Sequence, residues 1–276
     1  MKMKLALAGA LLSAATLPAH ASTLFASDYF GSATTLYTAN QSTGALTAVG
    51  GTTRNVGDLA SNATTLFGVT LTTNNLVTID PTTGGILSSI AVTGTRSGQI
   101  TSLAFNTLTN TLYGNTTTGF GATSGDALYS INVATGLASF IGSIGFDNVY
   151  ALAADTTGAL FGISDASNEF IRINSGTGLG TLISDIGSTG WFDMAARPED
   201  NVMFLSDAYT ASLYTINTTT GAKTLTGAYG TASNIAGLAF LGGAVPEPST
   251  WGMMLFGFGL VGSVLRRRRA LATAIA

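Results

Sequence analysis

A short pattern recurs five times along the chain and constrains its fold more than any other feature. In each copy an Asn or Asp stands four residues before a glycine that follows a threonine. The copies occupy residues 40–44, 80–84, 132–136, 174–178 and 217–221, so their glycines are 40, 52, 42 and 43 residues apart. An Asn or Asp side chain accepts hydrogen bonds from the backbone ahead of it, and glycine adopts positive φ without strain. Each copy therefore predicts a tight turn.

Short segments with period-two alternation surround these turns, which is the signal of half-buried strands. One strand precedes each turn, at residues 36–39, 76–79, 128–131, 170–173 and 213–216. Outer strands follow at 46–49, 86–90, 137–141 and 179–183, and second strands come earlier at 24–26, 66–69, 112–114, 160–163 and 203–205. Small apolar strands, suited to a crowded centre, lie at 59–60, 103–105, 152–154, 194–196 and 238–240. Four strands in about 43 residues predict the blade of a β-propeller.

The count of small inner strands predicts how the ring closes. The first unit lacks one, and a spare one stands at residues 235–240. If the spare strand completes the first blade, the body is an all-β propeller of five four-stranded antiparallel blades. A right-handed β-helix is the alternative, although its rungs are shorter, at roughly 20–25 residues. The repeats resemble the "LYxIDxxTG" repeats of divergent secreted propellers, and this resemblance implies a fold without implying an activity.

The N-terminus has the composition of a secretory signal peptide. Lys2 and Lys4 precede an apolar stretch at residues 5–17, and Ala19, His20 and Ala21 form an A-x-A cleavage site. We expect the mature chain to begin near Ser22. A retained N-terminal anchor is the alternative, against which the cleavage site argues.

The C-terminus combines a short signature, an apolar stretch and a basic stop. The signature consists of Val245, Pro246, Glu247, Pro248 and Ser249; the basic stop consists of Arg266, Arg267, Arg268 and Arg269. The apolar residues 251–265 would span roughly 22 Å as a helix, short of a bilayer core of about 30 Å. The arginines can snorkel, and they favour a cytoplasmic C-terminus. A buried core helix, the alternative, would not explain the adjoining arginines.

This tail closely resembles the sorting tail of PEP-CTERM proteins. The resemblance implies cleavage near the signature by the membrane protease exosortase, a transient inner-membrane anchor, and release to the cell surface or beyond. The chain then divides into a signal peptide (1–21), a propeller body (22–243), a linker with the signature (244–250), a transmembrane helix (251–265) and a basic cytoplasmic tail (266–276).

Composition restricts the chemistry of the exported part. His20 is the single histidine, and the chain has no cysteine. Disulfides, thiolate sites, Ser-His-Asp catalysis and common zinc sites are therefore excluded for the mature chain. Its Lys and Arg residues number five against all 14 Asp and Glu, so the charge is about −9. This balance argues against nucleic acid as a partner.

Carboxylates are the remaining candidates for chemistry. Asp58 and Asp193 occupy equivalent positions before the inner strands. We expect them to line a solvated central channel or to stabilise a turn, with Ca²⁺ ligation as the alternative. Lys223 is the one lysine base available, and we expect it in a turn after Gly221. The insertion at residues 116–126 is expected to be a flexible surface loop.

Two classes of function follow. The first is a non-enzymatic surface or extracellular-matrix module without a cofactor, with exopolysaccharide as a candidate partner. The second is a secreted carbohydrate-active enzyme or Ca²⁺-dependent lectin that uses propeller carboxylates. An acidic cluster converging on one face would favour the second.

Overall fold

The computed structural model of the protein describes residues 22–29, 33–120, 125–187, 192–230 and 234–242. The predicted signal peptide, linker, transmembrane helix and basic tail lie outside these described residues. Within them, no helix has the length and apolarity that a bilayer crossing requires. A 3-10 turn at Thr118–Phe120 is the one helical element in this part of the chain.

Twenty β-strands form five four-stranded antiparallel sheets among the described residues. The first blade contains β1 (Thr23–Asp28), β2 (Thr35–Ala39), β3 (Leu46–Gly51) and β20 (Ile235–Leu241). The second contains β4 (Val56–Ser61), β5 (Leu66–Thr70), β6 (Asn75–Ile79) and β7 (Ile86–Ala91). The third contains β8 (Ile100–Asn106), β9 (Thr111–Thr116), β10 (Ala127–Ile131) and β11 (Ala138–Ser143). The fourth contains β12 (Val149–Ala154), β13 (Leu160–Ser164), β14 (Glu169–Ile173) and β15 (Gly180–Asp185). The fifth contains β16 (Phe192–Ala196), β17 (Met203–Asp207), β18 (Ser212–Ile216) and β19 (Lys223–Ala228).

The ring closes through the last strand, as the count of inner strands predicts. β20 is the innermost strand of the first blade and pairs with β1, with Leu24 opposite Phe240 and Ala26 opposite Leu238. The predicted five-bladed propeller is therefore confirmed. Antiparallel pairing within every blade excludes the β-helix alternative, whose strands pair in parallel.

The hydrophobic core is divided among the junctions between blades. Each of the five clusters of buried apolar residues draws its members from two neighbouring blades. The second strands contribute an equivalent aromatic residue to this packing, namely Phe25, Phe67, Tyr113, Phe161 and Phe204. Pairs such as Phe67 and Phe105, with ring centroids 5.9 Å apart, show offset stacking that adds to the burial of apolar surface. Each blade therefore buries apolar surface against both of its neighbours.

The recurring Asn/Asp-x-x-Thr-Gly turns also hold the blades together. In the third blade, Asn132 Oδ1 accepts hydrogen bonds from the backbone N–H groups of Ala134 at 2.9 Å and Thr135 at 3.1 Å. Gly136 follows with a φ of +72°. Each turn packs on the outermost strand of the preceding blade, and we call this contact a clasp.

Three clasps bring two glycines against each other, namely Gly84 on Gly50, Gly178 on Gly142 and Gly44 on Gly227. A Cβ on Gly178 would lie 2.8 Å from the backbone O of Gly142. The turn glycine therefore supplies a positive φ and also a close approach between blades.

Every outermost strand carries a β-bulge where it pairs with its neighbour. The extra residues are Val49, Leu87, Ile141, Ile183 and Thr226. An outermost strand exposes an unpaired edge, and a bulge twists that edge away from pairing with another chain. The outermost strands carry few charged side chains that could prevent edge-to-edge pairing. The bulges and the clasps therefore protect these edges instead.

Two sequence predictions are wrong in this region. The fifth blade has an outermost strand, β19, that the pattern did not reveal, and Lys223 begins this strand where a turn was expected. The insertion at residues 116–126 is not simply a surface loop, because Thr116, Thr117 and Asp126 are buried. Thr116 ends β9, and the backbone N–H of Thr118 donates to Asp126 Oδ1 at 2.8 Å.

Candidate functional site

The innermost strands contribute equivalent residues to successive levels of the central channel. One level contains Asp58, Ser102, Ala151, Asp193 and Gly237. The next contains Leu59, Leu103, Leu152, Met194 and Leu238, and the one after it contains an alanine from every blade, Ala60, Ala104, Ala153, Ala195 and Ala239. Three of the five blades therefore contribute a polar side chain to the first level, whereas the next two levels are entirely apolar.

Asp58 and Asp193 form a carboxyl pair at the polar level. Both side chains are completely buried, and each shifts the pKa of the other. Asp58 Oδ1 accepts from the N–H of Leu59 at 2.5 Å, and its Oδ2 accepts from the N–H of Leu103, in the third blade, at 2.7 Å.

Asp193 repeats this arrangement at another junction. Its Oδ1 accepts from the N–H of Met194 at 2.7 Å, and its Oδ2 accepts from the N–H of Leu238 in the closing strand. Each aspartate thus joins its own innermost strand to the innermost strand of the next blade. Both links reach 45 residues further along the chain.

Burial dominates the electrostatics of this pair. Burial raises the pKa of Asp58 to about 8, although hydrogen bonds from Asp193, Leu103 and Leu59 act in the opposite direction. Burial, followed by the neighbouring Asp58 carboxylate, holds the pKa of Asp193 well above its ordinary value. Two adjacent carboxylates cannot both ionise at low cost in a site without water. The pair therefore retains a proton at neutral pH.

Gly237 occupies the same level in the first blade. A Cβ at this position would collide with Ser27 Oγ and would lie 3.0 Å from Leu59 Cγ. The first blade therefore has no space for a side chain at this level. The sequence shows that Asp58, Asp193 and Gly237 occupy equivalent positions in their blades. It does not show that the two aspartates contact each other.

The expectation of a solvent-lined pair is wrong. Asp58 and Asp193 have no exposed surface, because the level of leucines and Met194 lies between them and the open end of the channel. The pair also presents four oxygens to backbone N–H donors, whereas Ca²⁺ takes six to eight oxygen ligands. Within the described ranges, no group of three or more acidic or histidine side chains is placed to hold a metal ion.

A cavity of about 260 Å³ opens on the other side of the apolar level. Its lining includes the five alanines, Phe105 and Phe240. The polar residues Asn62, Asp155 and Thr156 also line it. Neither Asp58 nor Asp193 lines this cavity, so a molecule bound there would not touch the carboxyl pair.

A further buried carboxyl group lies in the third blade, where sequence analysis did not identify a site. Asp126 Oδ2 accepts from the N–H of Val149 at 2.6 Å, which joins the third blade to the fourth. Burial raises the pKa of Asp126 to about 6. The hydrogen bond from Val149 opposes this shift, and the nearby Asp147 carboxylate adds to it. Its geometry, with backbone donors on both oxygens, matches that of Asp58 and Asp193.

Lys223 is not an exposed base. Its ammonium lies 5.5 Å from the ring centroid of Tyr214 and 5.8 Å from that of Phe192. Burial lowers its pKa, and nearby Asp207 opposes that shift. The amine contributes to packing between strands of the fifth blade, and it lies away from the Asp58–Asp193 pair and the cavity lining.

The comparisons with known proteins concern the tail and the fold separately. The PEP-CTERM protein-sorting motif matches residues 244–269, which includes the signature and the arginines. No curated protein matches the chain.

Among solved structures, a protein of unknown function from Bacteroides thetaiotaomicron VPI-5482 is 16% identical over 74% of this chain, with a TM-score of 0.46. This chain spans about half the length of that protein, covering 50% of it. A protein of unknown function from Bacteroides caccae is 10% identical over 74% of this chain and 71% of its own, with a TM-score of 0.46. A chain of a nidogen/laminin complex is 9% identical over 79% of this chain and 98% of its own, with a TM-score of 0.48.

The protein is a five-bladed β-propeller that carries a PEP-CTERM sorting motif. That motif implies export and a membrane-anchored sorting signal, followed by processing by exosortase.

Proposed function

We propose that the propeller is a non-enzymatic binding or structural module of the cell surface or extracellular matrix. In this proposal a signal peptide directs export, residues 251–265 hold the protein in the inner membrane, and an exosortase-like protease cuts within residues 246–249. The observation that carries the sorting step is the match of the PEP-CTERM motif to residues 244–269.

The state of the carboxyl pair supports a non-enzymatic role. Carboxyl pairs with raised pKa values occur in acid-base catalysis, so the raised pKa values alone would favour the carbohydrate-active enzyme. Asp58 and Asp193, however, are fully buried, and all four of their oxygens accept backbone N–H groups. General acid-base catalysis requires a group within hydrogen-bond reach of the substrate. The pair is better suited to joining blades than to chemistry.

The outer surface supports weak contact with a polysaccharide. Each outermost strand exposes a hydroxyl side chain at the equivalent position; these are Thr47, Ser88, Ser139, Thr181 and Thr224. Hydroxyl groups exchange hydrogen bonds with sugars, and five copies around a rigid ring allow several weak contacts at once. Exopolysaccharide is therefore the partner that we propose.

The test is to assay the purified body, residues 22–245, for binding to and hydrolysis of a panel of bacterial exopolysaccharides, with and without Ca²⁺. We expect sedimentation with at least one polysaccharide and no turnover, unchanged in Asp58→Asn and Asp193→Asn variants that remain folded. Turnover that either substitution abolishes would establish the enzyme alternative. Binding that requires Ca²⁺ would establish the lectin alternative.

A further inference from the structure

Ser22 is bound to the fifth blade at the point where the first blade begins. Its backbone N and its hydroxyl both donate to the carboxylate of Glu199, the hydroxyl to Oε2 at 2.8 Å. Ser22 is 2% exposed, whereas Glu199 lies in the exposed turn between β16 and β17. The contact therefore bridges the junction at which the two ends of the propeller chain meet.

Neighbouring polar groups fix this contact in place. Gln41 Nε2 donates to the carbonyl O of Ser22 at 2.7 Å, and Arg197 Nη1 donates to Gln41 Oε1 at 2.8 Å. Arg197 in turn pairs with Asp200 at 2.6 Å. The carbonyl and the nitrogen of Ser22 are thus both held by side chains, so its nitrogen is directed at Glu199.

Ser22 is also the residue that follows the A-x-A site formed by Ala19, His20 and Ala21. We propose that signal-peptide cleavage between Ala21 and Ser22 creates an α-ammonium that forms an ion pair with Glu199, and that this ion pair strengthens the propeller seam in the processed protein. This inference rests on the export step of the proposed function.

Signal-peptide cleavage changes the charge of the Ser22 nitrogen and leaves its position the same. Hydrolysis of the Ala21–Ser22 amide consumes one water, leaves a carboxylate on Ala21 and an amine on Ser22, and the amine takes up a proton at neutral pH. A neutral peptide N–H thereby becomes a cationic donor facing a carboxylate. Hydrogen bonds between two charged groups are shorter and stronger than those with a neutral donor.

The test compares two forms of the body, residues 22–245, which form one compact unit whose ring encloses its own core. One form has a free Ser22 amine, and the other has an Nα-acetylated Ser22 that keeps an N–H donor and lacks the charge. Because the ion pair is partly exposed, we expect the free form to melt about 2 °C higher at pH 6.5. An ammonium that gains a partner stabilises below its ordinary pKa of about 8, so the difference should vanish by pH 10.

Two variants separate the ion pair from a general effect of acetylation. Glu199→Gln should abolish the difference in melting temperature, whereas Asp185→Asn, which removes an exposed carboxylate from β15 in the fourth blade, should retain it. Equal melting of the two wild-type forms, or a difference that survives Glu199→Gln, would overturn the inference.

N-terminal sequencing of the exported protein completes the test. A start at Ser22 supports the inference, and a start elsewhere overturns it. Neither result depends on cleavage at the C-terminal signature, so loss of the arginine block, measured by mass spectrometry, tests the sorting proposal separately.

Discussion

Asp58 in the second blade and Asp193 in the fifth blade form a fully buried carboxyl pair at the centre of the propeller. Each accepts a backbone N–H from the next blade, at Leu103 and at Leu238. With the N–H groups of Leu59 and Met194, these backbone donors connect four of the five innermost strands. A buried pair of this kind makes stability depend on its protonation state.

The first prediction concerns pH. Because the folded state holds the pKa of Asp58 near 8, above its ordinary value of 3.8, the folded state binds more protons than the unfolded state between these values. Stability from the pair is fully present below the ordinary pKa and is lost as pH rises through 8. The free energy of unfolding should fall by up to about 1.4 kcal/mol per pH unit between pH 5 and pH 7.

Chemical denaturation across this range measures the slope. Asp193→Asn should lower stability, because an amide nitrogen replaces an acceptor, and it should flatten the slope. Asp185→Asn, which changes an exposed carboxylate in β15, is the matched control and should preserve the slope. A wild-type propeller that becomes more stable from pH 5 to pH 7 would contradict the assignment.

The second prediction concerns the clasp between the third and fourth blades. In Gly142→Ala the new Cβ would collide with the carbonyl of Thr177, which is backbone and cannot rotate away. We expect a loss of about 1–3 kcal/mol in the free energy of unfolding. Gly51→Ala, also in an outermost strand, places its Cβ 3.9 Å from the nearest atom and should be nearly neutral. Similar urea midpoints for the two variants would show that the clasp tolerates a methyl group.

The third prediction concerns ring closure. A body that ends before Ile235 loses β20, and with it Leu238 and Phe240 from the junction of the first and fifth blades. β1 then becomes an unpaired edge. We expect a cooperative thermal transition for a body that ends at Val245 and none for the shorter body. Indistinguishable calorimetric transitions for the two lengths would refute closure by this strand.

The fourth prediction concerns sorting. A Pro-x-Pro sequence favours an extended backbone, and an extended peptide is the form that a protease cleft binds. Replacing Pro246 and Pro248 together by Ala should leave membrane-bound precursor in the exporting host, as measured by mass spectrometry. Pro81→Ala, in the turn of the second blade, is the control and should be released normally. Release of the double variant without the arginine block would argue that the prolines are dispensable.

Much of the propeller could be predicted from the sequence because its signals are local. The Asn/Asp-x-x-Thr-Gly turns and the period-two strands depend on residues within a few positions of one another. The count of inner strands then predicted that residues 235–240 pair with β1, since an unpaired strand at each end has no other partner in a closed ring. β19 was missed because Thr, Gly and Lys weaken its alternation.

Tertiary structure decided the contacts between blades, for a physical reason that local pattern does not contain. Asp58 and Asp193 meet only after the ring has closed, and their raised pKa values result from burial that closure produces. The turn glycines of the clasps are required because the backbone of the preceding blade lies too close for a Cβ. Ser22 contacts Glu199 only because the fifth blade packs beside the first. The sequence by itself determined the blades and their number, whereas the folded ring determined which polar groups lose their water and which partner each one finds.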